Sequence, residues 1–347
     1  METPNFLLAN GSSSLSLTPK YILPQDNRPN LSEISTLASI PIIDLMESSA
    51  LVVDQISKAC EEFGFLQIIN HGVPLEICDR MMAVTADFFE LPPEEKAPFF
   101  TTDHTKQVKL FNYYIKDGSQ NKVCMWSECF SHPWHPLDDI LHLLPQNPPQ
   151  YRDVVVEYAK EIGVLMKRLL SLISQGLGLE KDCLEKNLCE KPILRAQGNY
   201  YPPCPDPELT LGLNVHTDLN ALTIVRQSEG VTGLQVIKDG EWVAVEPIPN
   251  AFVINLGDQI QVLSNGRYKS AHHRAVTNKT QKRVSVAMFY APSRDAIIGP
   301  IQDLIDEQHP PLYREYRYSE FLEEFYMQEG TRRMVKEIFE LKNYSKE

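Results

Sequence analysis

The segment ALTIVRQSEGVTGLQVIKDGEWVAVEP (residues 221–247) decides the fold, because its side chains repeat with a period of two. Short runs that are rich in β-branched residues continue from it to residue 292: AFVINLG (251–257), QIQVLS (259–264), RYKSAHHRAV (267–276) and RVSVAMFYAP (283–292). Between them, Asp239-Gly240 and Asn265-Gly266 are strong hairpin signals. Many short antiparallel strands at this spacing predict a barrel or a double-sheet jelly roll.

Helical patterns flank this β region on both sides. Apolar residues recur at helical spacing in residues 52–63, 75–91 and 150–177, and the last of these predicts the longest helix, which we expect to back the sheet. Residues 100–149 are predicted to be a strand-bearing insertion or a functional lid. The predicted class is therefore α+β, with a double-stranded β-helix (jelly-roll) core flanked by helices.

The predicted organisation has four parts. Residues 1–36 are rich in Ser, Asn and Pro and are expected to be a mobile N-terminal segment. A mainly helical region at 37–193 packs on the jelly-roll core at 194–300, and a helical region at 301–347 follows. We expect 37–347 to form one compact unit.

Composition limits the partners. The 347 residues include 33 Lys and Arg against 46 Asp and Glu, a formal net charge of −13, which gives no electrostatic footprint for nucleic acid or an anionic membrane. The seven cysteines contain no C-x-x-C pair, and neither a signal peptide nor a membrane-length apolar run is visible. We expect a cytoplasmic protein with reduced thiols that is a monomer or weak dimer.

A candidate metal site lies in LGLNVHTDLNALT (residues 211–223). In a strand, His216 and Asp218 would point to the same face, and an imidazole with a carboxylate suits a first-row metal. A second, distant histidine would complete a set of two histidines and one carboxylate. Alternation allows only one of the adjacent His272 and His273 to face a barrel interior. By itself, however, an H-x-D triplet more often belongs to an ordinary surface strand or loop.

Other histidines are better explained by structure. His71 lies beside Asn70 and Gly72, where a turn needs small or polar residues. His132 and His135 lie in HPWHP, which is flanked by prolines and favours a packed turn over a metal site.

The triplet R-V-S predicts an anion site if it faces inward. Arg283 and Ser285 share one face of a strand. A buried guanidinium without a carboxylate costs about 3 to 5 kcal/mol, and arginine is suited to grip a carboxylate with two hydrogen bonds. In isolation, R-V-S more often marks a surface strand.

The order of motifs resembles one family. NYYPPCP (199–205), H-x-D (216–218), N-L-G-D (255–258), H-R (273–274) and R-x-S (283–285) together resemble the plant soluble Fe(II)/2-oxoglutarate-dependent dioxygenases. The similarity extends from about residue 40 to about 325, including IPIIDL (40–45), GFLQIINHG (64–72) and PPLY (310–313). Within the family the chain is similar to hyoscyamine 6-hydroxylase and to salicylate- and flavonoid-oxidising members.

The resemblance implies an iron site and its chemistry. His216, Asp218 and His273 would bind Fe(II), with His273 chosen because the family's ligand directly precedes an arginine. Dioxygen and 2-oxoglutarate would be consumed, succinate and carbon dioxide would be released, and ascorbate would serve as a reductant.

The resemblance also implies a cosubstrate site. Arg283 and Ser285 would hold the distal carboxylate of 2-oxoglutarate, and Tyr201 and Asn199 would add hydrogen bonds.

The expected reaction is hydroxylation, or desaturation or epoxidation, of a small specialised metabolite such as an alkaloid or a phenolic. Aromatic residues are expected to line its pocket: Phe289, Tyr113, Tyr114, Trp126 and Phe130. Two alternatives stay open. One is an ascorbate-dependent enzyme similar to aminocyclopropane-carboxylate oxidase, and the other is a non-catalytic binding protein on the same scaffold.

Overall fold

Two β-sheets lie against each other in the computed structural model. It describes Leu7 and residues 17–30, 34–35, 39–103, 105–117, 119–136, 138–188, 191–328 and 335–341. Most of the segment that was predicted to be mobile (1–36), and parts of the predicted C-terminal helical region (301–347), lie outside these residues.

The sheets are built from strands of two to nine residues. In chain order the strands are β1 (Ile34–Ser35), β2 (Ile42–Asp44), β3 (Phe65–Ile69), β4 (Lys109–Phe111), β5 (Tyr114–Lys116), β6 (Lys122–Cys124), β7 (Glu128–His135), β8 (Ile193–Tyr201), β9 (Leu213–His216), β10 (Leu222–Gln227), β11 (Leu234–Lys238), β12 (Glu241–Ala244), β13 (Phe252–Leu256), β14 (His273–Ala275), β15 (Arg283–Ala291), β16 (Ile297–Ile298) and β17 (Tyr316–Arg317).

The larger sheet has eight strands in the order β2-β3-β13-β10-β15-β8-β7-β4, and the smaller has five in the order β1-β12-β11-β14-β9. Two-stranded ladders join β5 to β6 and β16 to β17. Strands β2, β3, β4 and β7 come from the N-terminal half, so that half contributes to the same sheet as the core. Facing sheets with flanking helices are the predicted α+β arrangement.

The described residues form seven α-helices, and the three longest pack on the outer face of the larger sheet. The seven are α1 (Ser49–Glu62), α2 (Leu75–Glu90), α3 (Pro93–Lys96), α4 (Tyr151–Gly176), α5 (Cys183–Asn187), α6 (Asp258–Leu263) and α7 (Tyr318–Met327). As expected, α4 is the longest, and its buried residues recur every three or four positions, including Val155, Ile162 and Leu169. It packs between α1 and α2, behind the sheet.

Side chains of the larger sheet alternate between two environments. In β15, Val284, Val286 and Met288 enter the core shared with the helices. Arg283 and Ser285 point the other way, toward the smaller sheet, and both are buried. The period of two therefore separates an apolar outer face from a polar interior.

Some local predictions were wrong. QIQVLS was predicted to be a strand, but it forms α6, where Gln259, Ile260, Val262 and Leu263 are all buried. Asn265-Gly266 ends this helix and makes no hairpin, since the Gly266 amide donates to the Gln261 carbonyl. Both residues do adopt the positive φ that the dipeptide favours. Asp239-Gly240 forms the predicted hairpin between β11 and β12.

The insertion at 100–149 carries strands, which was one of its two predicted forms. Its strand β7 includes HPWHP up to His135, so the predicted packed turn is wrong there. The reason is tertiary: β7 pairs along most of its length with β8 and absorbs the prolines through a shift in register near Pro133.

Six described cysteines are free: Cys60, Cys78, Cys124, Cys129, Cys183 and Cys204. Within the described ranges, none of the helices is both long and apolar enough to span a membrane.

A buried ion pair joins α3 to β7. The Lys96 ammonium lies 2.9 Å from a Glu128 carboxylate oxygen, with each side chain 1% exposed. The ammonium also donates to the Phe89 carbonyl, and the Leu7 amide donates to the other Glu128 oxygen. Removing one partner would leave the other charge buried and unpaired.

Lys96→Met is therefore expected to lower the free energy of unfolding by about 3 to 5 kcal/mol in denaturant titrations. The double variant Lys96→Met/Glu128→Leu should recover most of that loss, because it removes both charges. Lys58→Met, which breaks the exposed pair with Asp54, is the control and should leave the midpoint unchanged. A double variant as unstable as the single one would contradict this account.

Candidate metal centre and its surroundings

Three buried side chains converge where two strands of the smaller sheet end. His216 is the last residue of β9 and pairs with His273, the first residue of β14. Asp218 lies two residues beyond β9, in the following loop. The ligand atoms of the three all lie within 4.8 Å of one another, and they form the one group of this kind in the part of the chain that the structure describes.

The reason for this convergence differs from the predicted one. Asp218 does not share a strand face with His216, because β9 ends at His216. The loop is fixed from behind instead: the Asp258 amide donates to the Asp218 carbonyl at 2.8 Å. A Cβ on Gly257 would lie 1.9 Å from the Asn220 carbonyl oxygen, so only glycine allows this close approach.

Both imidazoles are oriented by their own backbone. Nδ1 of His216 lies 2.8 Å from the Asn214 carbonyl, and Nδ1 of His273 lies 3.1 Å from the Ala271 carbonyl. A carbonyl can only accept, so Nδ1 donates and Nε2 keeps its lone pair. Each Nε2 lies 3.6 Å from Oδ1 of Asp218, beyond a hydrogen bond but within the spacing of atoms that share one ion.

The other oxygen of Asp218 is already occupied. Oδ2 accepts hydrogen bonds from the Thr223 hydroxyl at 2.6 Å and the Asn255 side-chain amide at 2.7 Å. This leaves Oδ1 to face the two histidines. Sequence reasoning assigned no role to Thr223 or Asn255, although Asn255 opens the N-L-G-D motif and Thr223 ends the segment around His216.

Protonation favours metal binding at the carboxylate and at His273. Burial alone would raise the pKa of Asp218, but its interactions with His216 and His273 and the Thr223 hydrogen bond hold that pKa well below the usual range. Burial and the neighbouring His216 lower the pKa of His273 to about 4. At neutral pH the set thus offers a carboxylate and a neutral imidazole, and two histidines with one carboxylate suit Fe(II).

A buried ion pair supports the loop from the C-terminal side. Asp258 lies 2.8 Å from the Lys336 ammonium and also accepts a hydrogen bond from the Thr217 hydroxyl. Asp258 therefore links the loop at Thr217 and Asp218 to Lys336 in the segment 335–339.

The predicted anion site lies on the interior face of β8 and β15. Arg283 is 3% exposed and donates to the Gln227 side-chain oxygen at 2.8 Å, and its guanidinium lies 5.1 Å from the centre of the Tyr201 ring. Its Nε makes no hydrogen bond, and no described carboxylate lies within 4.0 Å. Burial raises the pKa of Tyr201 to about 12 against the influence of Arg283, so the phenol stays neutral.

A chain of polar side chains leads away from this arginine. Asn199 donates to the Ser285 hydroxyl at 3.3 Å, and Gln197 donates to Asn199 at 2.7 Å. The Tyr113 hydroxyl lies 3.3 Å from the Gln197 oxygen. The structure therefore brings Arg283, Ser285, Tyr201 and Asn199 together, as sequence reasoning expected of a cosubstrate site.

Two glycines make room for these groups. A Cβ on Gly233 would lie 2.7 Å from Cδ of Arg283, and one on Gly212 would lie 2.4 Å from the Tyr201 ring. Neither glycine was recognised from the sequence.

The five aromatic residues expected at the substrate pocket fall into two groups. Phe289 is half-buried on the interior face of β15, opposite Thr223, and Tyr113 contacts Gln197. Tyr114 is half-buried in the β5–β6 ladder, where the Lys122 ammonium lies over its ring.

The other two lie in apolar clusters away from the metal group. Phe130 is 1% exposed and packs against Phe88 on the helix-covered face of the sheet, opposite to the metal group. Trp126 is also 1% exposed and lies in a separate cluster with Tyr21 and Cys204. Both are core residues because β7 turns its even-numbered side chains toward the helices and the loop before it turns Trp126 toward the N-terminal segment.

Three other described histidines lie outside the metal group. His71 contacts the Asn250 carbonyl and accepts from the Val73 amide in a turn. His132 is buried beside the Tyr151 hydroxyl, and burial lowers its pKa to about 4. His272 is half-buried, with Nε2 lacking a hydrogen-bond partner.

The chain matches two family models: the 2OG-Fe(II) oxygenase superfamily over residues 195–292, and the N-terminal region of non-haem dioxygenases in morphine synthesis over residues 40–151. It is 42% identical to the Arabidopsis thaliana protein DOWNY MILDEW RESISTANCE 6 over 324 residues, 92% of this chain and 94% of that protein. It is 38% identical to hyoscyamine 6-dioxygenase of Hyoscyamus niger over 319 residues, 89% of this chain and 91% of that protein.

A solved structure is similar over nearly the whole fold. The crystal structure of JOX2 in complex with 2OG, Fe, and JA matches with a TM-score of 0.86 and 34% sequence identity, covering 95% of this chain and 96% of that one.

The two donors to Asp218 should matter for metal binding although neither touches a metal. Thr223→Val and Asn255→Leu are each expected to weaken Fe(II) binding by about tenfold to a hundredfold, because the carboxylate loses its fixed orientation. Anaerobic equilibrium dialysis measures this. His273→Ala should abolish binding and His272→Ala should leave it unchanged; equal losses in the two histidine variants would contradict the assignment.

Proposed function

Because this chain belongs to the plant Fe(II)/2-oxoglutarate-dependent dioxygenase family, we propose that it oxidises a small specialised metabolite at the site formed by His216, Asp218 and His273. It is an oxidoreductase of the 2-oxoglutarate-dependent type and acts on small molecules. The observation that carries the assignment of residues is the convergence of three ligand atoms within 4.8 Å, all on buried side chains.

Bound Fe(II), 2-oxoglutarate and dioxygen supply the oxidising chemistry: the cosubstrate loses carbon dioxide and becomes succinate, and one oxygen atom is available to the organic substrate. The chain's own residues prepare for this. Asp218 would offer only Oδ1, since Oδ2 is held by Thr223 and Asn255, and His216 and His273 would offer Nε2. One carboxylate oxygen and two nitrogens on one side leave room for other ligands.

Arg283 would bind the distal carboxylate of 2-oxoglutarate. Its guanidinium is buried among neutral acceptors, so an anion would supply the charge that the protein does not. The hydroxyls of Ser285 and Tyr201 would donate to the same carboxylate, and Asn199 would orient Ser285.

The substrate would enter from the side of Phe289 and Tyr113. Both are half-buried, and Phe289 occupies the register position opposite Thr223, beside the proposed iron. We infer hydroxylation as the default outcome, with desaturation or epoxidation as alternatives that the same iron allows. An alkaloid or phenolic substrate fits aromatic walls.

We further infer that residues 37–347 act as one unit, which the shared eight-stranded sheet supports. Ascorbate as reductant, a cytoplasmic location and a monomer or weak dimer complete the proposal.

The central test is a substrate panel read by succinate release. Alkaloids, flavonoids and phenolic acids are supplied with Fe(II), 2-oxoglutarate and ascorbate, and products are examined by mass spectrometry for a gain of one oxygen or a loss of two hydrogens. Asp218→Ala should release no succinate, because it removes the one charged ligand. Retained turnover in that variant, or tight binding of a compound without Fe(II) binding or succinate, would overturn the proposal.

Arg283→Ala is expected to raise the KM for 2-oxoglutarate by about tenfold to a hundredfold, because hydrogen bonds to a charged group are lost. Gly233→Ala should act in the same direction, since its Cβ would push against Cδ of Arg283. Lys282→Ala is the matched control, as this exposed neighbour pairs with Glu90. An unchanged need for 2-oxoglutarate in Arg283→Ala would point to an ascorbate-dependent enzyme instead.

A further inference from the structure

A second arginine starts from the interior face of the larger sheet. Arg195 on β8 pairs with Phe289 on β15, and Phe289 pairs with Thr223 on β10. Its neighbours Leu194 and Ala196 belong to the helix-side core, so Arg195 points the opposite way. Adjacent strands lie about 4.8 Å apart, which puts the Arg195 backbone about 10 Å from that of Thr223, the residue that holds Asp218.

The guanidinium of Arg195 is only partly used by the protein. Nη2 donates to the Gln107 carbonyl at 2.8 Å and to the Ser131 hydroxyl at 3.1 Å, and Nε lies 3.3 Å from the same hydroxyl. Nη1 donates to no described residue, and no described carboxylate lies within 4.0 Å of the guanidinium. Arg195 is half-buried and therefore less enclosed than Arg283, but its described protein partners are likewise all neutral.

Three more deeply buried cations of the chain each have a carboxylate partner, whereas the half-buried Arg152, like Arg195, has only neutral partners among the described residues. Lys96 pairs with Glu128, Lys336 pairs with Asp258, and Arg226 lies 3.4 Å from Asp79. Burial lowers the pKa of Arg195, and its electrostatic support comes from the phenols of Tyr326 and Tyr113. A shielded charge without a counter-charge is costly, so the position favours an anionic ligand.

The residues around Arg195 indicate what kind of anionic ligand would fit there. Lys109 pairs with Ser131 across β4 and β7, and burial together with Arg195 lowers its pKa to about 8. Aromatic rings flank the two cations: Phe289 opposite Arg195, and Phe111 in edge contact with Tyr113 at 5.0 Å. A cationic point beside apolar rings suits an apolar molecule with one anionic end.

We propose that Arg195 binds the carboxylate of the organic substrate, so that the enzyme oxidises a small apolar carboxylic acid. This inference rests on the proposed function and names its substrate class. It gives the two interior arginines separate tasks. Arg283 on β15, paired with Tyr201 at one end of β8, would bind the cosubstrate, and Arg195 near the other end of β8 would bind the substrate. A carboxylate held at Arg195 would place the apolar body of the acid along Phe289, toward the proposed iron.

The first test compares acids with their neutral counterparts. Succinate release by the wild-type protein is measured with benzoic, phenylpropenoic, arylacetic and alicyclic acids, with the methyl ester of each, and with neutral flavonoids and amine alkaloids. Free acids are expected to give a kcat/KM at least about tenfold above that of their esters. If the protein turns over esters, flavonoids or amines rather than acids, the carboxylate assignment is overturned and the proposed function stands. If no compound stimulates succinate release, both are overturned.

The second test changes the arginine. Arg195→Gln should raise the KM for the preferred acid by about tenfold or more and remove the preference for acid over ester, while the KM for 2-oxoglutarate changes by less than about twofold. Arg195→Lys keeps the charge and should retain part of the preference. Arg152→Gln is the control, because that arginine also donates to backbone carbonyls but lies on α4.

A purely structural Arg195 would give a different pattern. Its loss would then lower turnover of acid and ester alike and would also disturb the KM for 2-oxoglutarate. That result in Arg195→Gln, with acid preference intact, would overturn the proposal.

Discussion

The nine-residue antiparallel ladder between β8 and β15 is the constraint on which the rest of the site depends. It places Tyr201 opposite Arg283 and Asn199 opposite Ser285. Because side chains alternate, the same ladder sends Tyr200 into the core under the helices. A slip of one residue would turn the interior polar groups into that apolar core and expose apolar side chains to the interior. The packing of the helices on the outer face therefore holds the polar groups on the inner face in register.

That register matters because the interior contains charges whose cost depends on placement. Buried carboxylates of the described residues are compensated locally: Asp218 by Thr223 and Asn255, Asp258 by Lys336, and Glu128 by Lys96. The interior arginines are compensated only by neutral acceptors. The overall charge of −13 gives no hint of this, because an anion inside a barrel responds to the nearest cation and not to the sum over the surface. We infer that the missing negative charges are those of the molecules the protein handles.

The sequence predicted the elements whose apolar residues recur at regular spacing. It did not predict those whose conformation depends on tertiary contacts. The long helix α4 and the strands β10, β11, β13 and β15 follow from regular spacing. Residues 259–264 alternate like a strand, yet the chain turns there to bring the Asp258 amide to the Asp218 carbonyl, and a helical turn buries the same apolar residues. For Asp218 the expected side-by-side arrangement with His216 arises from that loop contact, not from a strand. The donors Thr223 and Asn255 come from two other strands, so no local pattern could assign them to Asp218.

The same reasoning separates the predicted pocket residues whose orientation the sequence could fix from those whose orientation it could not fix. Phe289 stands four positions after Ser285 on one strand, so parity alone fixes its face. Phe130 and Trp126 were chosen as aromatics in an insertion, without a strand of known facing to relate them to the site, and both belong to the core. Parity also applies to Arg195, which stands six positions before Tyr201 on β8 and therefore shares its interior face. In a strand with one buried face, a residue at an even offset from a site residue lies on the same face as that residue. The segment ILRAQGNYY (193–201) therefore already indicates that Arg195 faces the interior.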